Sequence, residues 1–181
     1  CSQTWQVERA EFDKLLFDNA AEKGAACFDQ TRVLCVHFEG DRAVGAQLQL
    51  ASGEKVDVSA RVVIDGTGQQ SIIANQLGLK REIPELRKAA VWAYFQDAER
   101  DPTEHGGATL ILHTESKEAW FWYIPLSNNI TSVGLVGDID FILKSRPTPS
   151  DAYCEEIGNC PALARRIQDA TMIGEQHVAK E

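Results

Sequence analysis

At 181 residues, 44% hydrophobic and a net charge of −9, the chain is long enough for one or two small domains with a real core. The acidic balance argues against nucleic acid or an anionic membrane surface as partner, and no stretch approaches the roughly 20 apolar residues of a membrane span. Five cysteines without C-x-x-C spacing and four scattered histidines predict reduced thiols, a cytoplasmic setting and no metal site.

The chain starts at Cys1, its single methionine is Met172, and no signal peptide is visible, so we expect an internal piece of a longer protein. Cys1–Trp5 reads as an extended lead-in. A helix is predicted from about Val7 to Lys23, with Phe12, Leu15 and Leu16 on one face and Gly24 as terminator. Arg9 is a cation near the helix N-terminus, where the dipole disfavours it. It is either a solvated surface side chain or one held there to meet an anion.

Three strands then read as a meander: Val33–Glu39, Arg42–Leu50 and Lys55–Ile64, with turns at Glu39-Gly40-Asp41 and Ala51–Glu54. The third is expected to end buried in Val62-Val63-Ile64. Asp65-Gly66-Thr67-Gly68 follows, then a short helix to about Leu77, closed by Gly78. A strand, a glycine-rich turn and a helix start can present backbone N–H groups to a phosphate, while Asp65 can accept from a ribose hydroxyl. A plain strand–turn–helix is equally open at this point.

Arg81–Lys88, with Pro84, reads as a crossing between lobes. Ala89–Phe95 is a strand, Asp97–Gly107 a polar loop and Thr109–Thr114 another strand. Ala119–Gly137 reads as two antiparallel strands around a turn at Ser127-Asn128-Asn129, where asparagine tolerates positive φ. Alternation sends Trp120 and Trp122 to one face, Phe121 and Tyr123 to the other. Pro125 marks a strand end or an edge. Ordinary sheet core explains this stretch, and so does a cavity lined by paired indoles. Asp138–Lys144 leaves the sheet. A helix over about Asp151–Ile157, a second to about Asp169 and a final strand at Met172–Ala179 complete the chain.

Trp120-Phe121-Trp122-Tyr123-Ile124-Pro125 resembles the W-x-W-x-I-P signature of flavin-dependent halogenases, within the superfamily of FAD-dependent aromatic hydroxylases. Two further stretches are similar to the same superfamily. Gln6–Leu16 with Ala20–Ala25 resembles its R-x-x-F-D-x-x-L…A-x-x-x-G-A helix. Asp65-Gly66-Thr67-Gly68-x-x-Ser71, with Ala74 and Leu77-Gly78, resembles its second FAD motif. The resemblance implies an α+β chain that is part of an α/β FAD-binding fold. It implies a partial FAD-binding portion over residues 1–84, an antiparallel substrate-lobe sheet over 85–145 and a helical segment over 146–181 leading back to the FAD domain. It implies FAD contacts from Arg9, Gln6, Asp65, Gly66 and Gly68. Trp120, Trp122, Ile124 and Pro125 would shield flavin from substrate, with no catalytic residue in the chain.

The activity implied is halogenation of a small-molecule aromatic or other electron-rich organic substrate by reduced FAD, oxygen and halide, with a separate flavin reductase. An FAD-dependent hydroxylase and a geranylgeranyl-reductase-like enzyme are the nearest rivals. An α+β interaction domain with an open aromatic patch is the non-enzymatic one. The superfamily's G-x-G-x-x-G turn and its later G-D-A motif do not occur here. FAD is therefore expected in the parent protein and not on this segment alone, which is expected to be inactive by itself.

Overall fold

A computed structural model of the chain describes residues 5–180; all but the last residue of the expected lead-in at Cys1–Trp5 lies outside the described residues. The fold is α+β. Contacts divide it into two compact units, one of Leu15–Glu82, the other made of the chain before and after it.

Helix α1 (Arg9–Glu22) forms where expected and ends at Gly24, whose φ of +93° disfavours any side chain. Phe12, Leu15 and Leu16 do not pack: α1 buries no residue, and Leu15 stays 63% exposed.

In the Leu15–Glu82 unit, β1 (Arg32–Glu39), β2 (Arg42–Gln49) and β3 (Lys55–Ser59) form the expected antiparallel meander. Gly45 permits it, because a Cβ there would stand 2.1 Å from the Val58 carbonyl oxygen. β3 stops at Ser59, well short of the expected Ile64. Its last bond to β2 runs from Ala60 N to Val44 O, and Val62 and Ile64 beyond it are 73% and 87% exposed. The expected buried strand end is thus an exposed, unpaired segment, because among the described residues no strand continues the ladder there. Helix α2 (Ile72–Gln76) is tied to β1 by one side chain. The Gln76 amide accepts from Val36 N at 2.9 Å and donates to Val36 O at 2.6 Å, filling a backbone pair on an edge strand.

The second unit is a five-stranded antiparallel sheet. Its strands are β4 (Lys88–Gln96), β5 (Leu110–His113), β6 (Ala119–Pro125), β7 (Ile130–Asp138) and β8 (Thr171–Lys180), in the order β5-β6-β7-β4-β8. Asn128 and Asn129 turn β6 into β7 with φ of +54° and +58°, as their chemistry predicts. Pro125 is the last residue of β6 and lies past the reach of β5, so its missing N–H costs no ladder bond to that neighbour.

Helices α3 (Ile139–Leu143), α4 (Pro149–Gly158) and α5 (Pro161–Ile167) cover one face of the sheet. Val91, Ala93, Phe121, Tyr123, Val133 and Leu135 point into that layer and are at most 1% exposed. They meet Ile142, Tyr153 and Leu163 from the helices. Thr148 caps α4 in a reciprocal capping box with Asp151, behind Pro149 at the first helical position, so α4 starts two residues before the expected Asp151. Within residues 146–181, α4 packs on β4 and β7, and the expected final strand forms as β8, which pairs with β4 on both sides of a register shift. The contacts break at Lys14/Leu15 and Glu82/Ile83 instead of after 84 and 145.

Candidate functional site

Strand alternation makes the site. With Phe121, Tyr123 and Pro125 turned into the helical layer, Trp120, Trp122 and Ile124 are left half-buried on the opposite, open face. Ala90, Trp92 and Tyr94 of β4 join them there. Pro125 is thus buried away from the two tryptophans and ends the strand; it is not part of the open wall.

Two cavities lie on this open face. One, of about 570 Å³, is lined by Trp120, Trp122, Lys88, Lys117 and Val136. The other, of about 590 Å³, is lined by Gln6, Arg9, Tyr94, Ile124, Ser132 and Ile173. The Trp pair therefore lines a concave surface, as a cofactor or substrate wall requires and an open interaction patch does not. Arg9 does not share that cavity; it belongs to the second, with Ile124.

In the second cavity the Gln6 amide donates to Thr109 Oγ1 at 2.7 Å, and its own Oε1 is buried without a partner among the described residues. Arg9 is exposed and grips Asp13 through two nitrogens at 2.9 and 3.0 Å. The Asp13 carboxylate raises the Arg9 pKa further above its usual range. Such a solvent-screened pair is weak, so an arriving anion can compete for the guanidinium.

Asp65 sits in the other unit. Its carboxylate accepts from Thr67 Oγ1 at 2.6 Å and from the backbone N–H groups of Thr67 and Ile73, both at 2.9 Å. The Thr67 hydroxyl, then those amides, hold its pKa below the ordinary carboxylate value. The expected ribose acceptor is thus already engaged in shaping its own turn. Gly66 and Gly68 keep open space where a Cβ would stand, and Gly68 has φ of +58°. That leaves the turn's backbone approachable.

Tyr123 does not face the open side, whereas His113, paired with Trp120 in the β5–β6 ladder, does. Tyr123 donates to Glu99 O at 2.5 Å within the helical layer, and burial raises its pKa. His113 is exposed on edge strand β5. Sequence reasoning missed Tyr94, Thr109, Ser132 and Gly134. For the last two the signal existed: counting outward from Asn128 puts Gly134 opposite Trp122, and Ser132 opposite Ile124. Among the described residues no group of three or more His, Cys, Asp or Glu is placed to hold a metal, and no helix is long and apolar enough to cross a membrane.

This α+β fold superposes on flavin-dependent halogenases. The flavin-dependent brominase Bmp2 superposes with a TM-score of 0.85 at 29% identity, covering 98% of this chain and 44% of that one. CmlS, a flavin-dependent halogenase, superposes with a TM-score of 0.82 at 32% identity, covering 97% and 32%. A 1H-pyrrole-2-carbonyl-[peptidyl-carrier protein] brominase of Pseudoalteromonas luteoviolacea is 32% identical over 95% of this chain and 42% of its own length. The corresponding chlorinase of Pseudomonas fluorescens is 29% identical over 96% and 38%.

Residues 1–161 match the sequence model of the tryptophan halogenase family, and the chain belongs to that family. It spans less than half the length of these relatives.

Proposed function

We propose that the protein to which this chain belongs is a flavin-dependent halogenase, acting with reduced FAD, oxygen and halide on an electron-rich aromatic substrate. The observation that carries this reading is the open indole face: Trp120 and Trp122 wall a cavity on the exposed side of the sheet, in a chain of the halogenase family. FAD would supply the oxygen-activating chemistry, and the protein would bind, orient and exclude water.

Each unit carries its own candidate flavin contacts. In the sheet unit these are Arg9, whose surface ion pair an anion can displace, and Gln6, whose buried Oε1 lacks a donor. In the Leu15–Glu82 unit they are the backbone at Gly66 and Gly68, where no protein atom fills the space of a Cβ. Asp65 holds that turn in shape. Both sets fit a phosphate–ribose ligand. Trp120, Trp122 and Ile124 shield the reacting region from water.

The test is the whole protein with FAD, a flavin reductase, oxygen and bromide or chloride, against phenols, indoles and pyrroles. A pyrrole tethered to a carrier protein belongs in the panel, because two relatives are named for that substrate. A halide-dependent product bearing the halogen isotope pattern supports the reading. An oxygenated product formed without halide makes it a hydroxylase, and no turnover under any condition overturns it.

A further inference from the structure

Trp122 is held from three sides. Its indole lies across Gly134 of the neighbouring strand, where a Cβ would stand 2.1 to 2.5 Å from three indole carbons. Its Nε1–H donates to Ser132 Oγ at 3.1 Å. Trp92 flanks it with ring centroids 6.1 Å apart and planes tilted by 46°, and His177 stacks on Trp92 at 5.2 Å. Ser132 and Gly134 are two residues apart on β7, so both face the indole side.

The two cavities meet at this contact. Trp122 lines the one with Trp120 and Lys88, and Ser132 lines the one with Gln6 and Ile124. The Trp122–Ser132 hydrogen bond joins the wall of one to the wall of the other.

We infer that Ser132 and Gly134 are positioning residues that hold Trp122 flat, as the partition between two separate cavities on the open sheet face. Glycine supplies the only surface on which the ring can lie down; any side chain lifts it. Serine supplies the acceptor that a largely buried indole N–H needs and fixes the ring's rotation about its own axis. Neither residue touches the reacting atoms; both act through Trp122. The placement stands on geometry alone, while its consequence for turnover rests on the halogenase reading.

The experiment uses the whole protein and four variants: Gly134→Ala, Ser132→Ala, Trp122→Phe and the Ser132→Ala/Trp122→Phe double variant. The tilted Trp92–Trp122 pair gives an exciton couplet in circular dichroism, and acrylamide quenching reports indole exposure. Gly134→Ala is expected to abolish the couplet with the sheet intact. Ser132→Ala is expected to favour the lifted indole by about fivefold, the worth of one net hydrogen bond, and to raise quenching. In the Trp122→Phe background Ser132→Ala should change nothing further.

An unchanged couplet in folded Gly134→Ala overturns the inference. So does a Ser132→Ala effect of equal size with and without the Trp122 indole. If Gly134→Ala does not fold, the Ser132–Trp122 cycle decides by itself. In the loaded enzyme, Ser132→Ala should shift the ratio of KM for bulky against small substrates several-fold with kcat nearly constant; an unmoved ratio removes the partition role. Absence of any halogenation would sink the halogenase reading and leave the spectroscopic result standing.

Discussion

The two units differ in what holds them together. The sheet unit closes on itself: helices α3 to α5 roof one face, and its core side chains are almost wholly removed from water. The Leu15–Glu82 unit has a three-stranded ladder, with two register shifts between β1 and β2, and little core, with Val36 and Ala46 as its buried hydrophobic residues. Val62, Ile64, Leu77 and Leu79 remain exposed there. Regular hydrogen bonding and burial are separable: the sheet unit has both, and the Leu15–Glu82 unit has chiefly the first.

The sharpest way to break that comparison is to truncate one large apolar side chain in each. Phe121→Ala empties a position that is 0% exposed and set edge-on to Tyr153 with centroids 5.9 Å apart. We expect a loss of about 3–5 kcal/mol by chemical denaturation. Ile64→Ala, at 87% exposure, should stay within about 0.5 kcal/mol. Similar losses at both sites would mean that the second unit has a core after all.

Next in size is a buried charge of the sheet unit. Glu156 is 2% exposed and is paired with Arg146 at 2.6 Å, with Asn159 Nδ2 at 3.2 Å as further donor. Arg146→Met strands that carboxylate, and we expect a loss of about 3 kcal/mol in the same denaturation assay. Adding Glu156→Gln removes the stranded charge and should recover part of the loss. No recovery would show that Arg146 acts through Glu155 or its packing on Phe141 instead.

Most of the sheet unit was legible in the sequence because strand alternation and turn chemistry are local. Trp120 and Trp122 against Phe121 and Tyr123 and the Asn128-Asn129 turn follow from neighbouring residues, as does the Gly24 terminator in the other unit. The start of α4 was legible too, in Thr148-Pro149-Ser150-Asp151, had the capping box outweighed Asp151 as a cap. What stayed hidden depends on distant partners. Apolar letters at Val62 and Ile64 announce a buried strand, but burial needs a neighbour that periodicity does not name. The Asp65 carboxylate matches a ribose acceptor by type, yet its oxygens are engaged by Thr67 and Ile73. Arg9 and the Trp pair read as one site and line two cavities, because no spacing rule reports which end of a sheet a helix start crosses.

A smaller perturbation sharpens the comparison from the other side. Gln76→Ala removes both bonds of its amide to Val36 and leaves a backbone pair on edge strand β1 to find water. We expect a loss of about 1–3 kcal/mol, confined to the Leu15–Glu82 unit. Hydrogen exchange reads it: the Val36 amide should lose protection while Val91 in the sheet unit keeps its own. Equal loss at Val91 would mean that the two units unfold as one.

The smallest expected effect is a pH dependence at Asp65. Its folded carboxyl titrates below the ordinary value of 3.8, chiefly because the Thr67 hydroxyl and then the Ile73 and Thr67 amides bond the charged form. The folded chain therefore binds this proton less readily than the unfolded chain. Its contribution to the turn is fully present above the ordinary value and is lost as pH falls through the lower folded value. Because the group is exposed, the effect should be local: the Ile73 and Thr67 amides lose protection on acidification while the sheet unit stays folded. Asp65→Asn keeps the shape and drops the charge, so those amides should be less protected at neutral pH and should show no further acid step. A step at or above the ordinary carboxylate value, or one that survives in Asp65→Asn, would assign the transition to another group. The Gly66–Gly68 backbone would then owe its open shape to the glycines alone, and Asp65 would be free for a ligand.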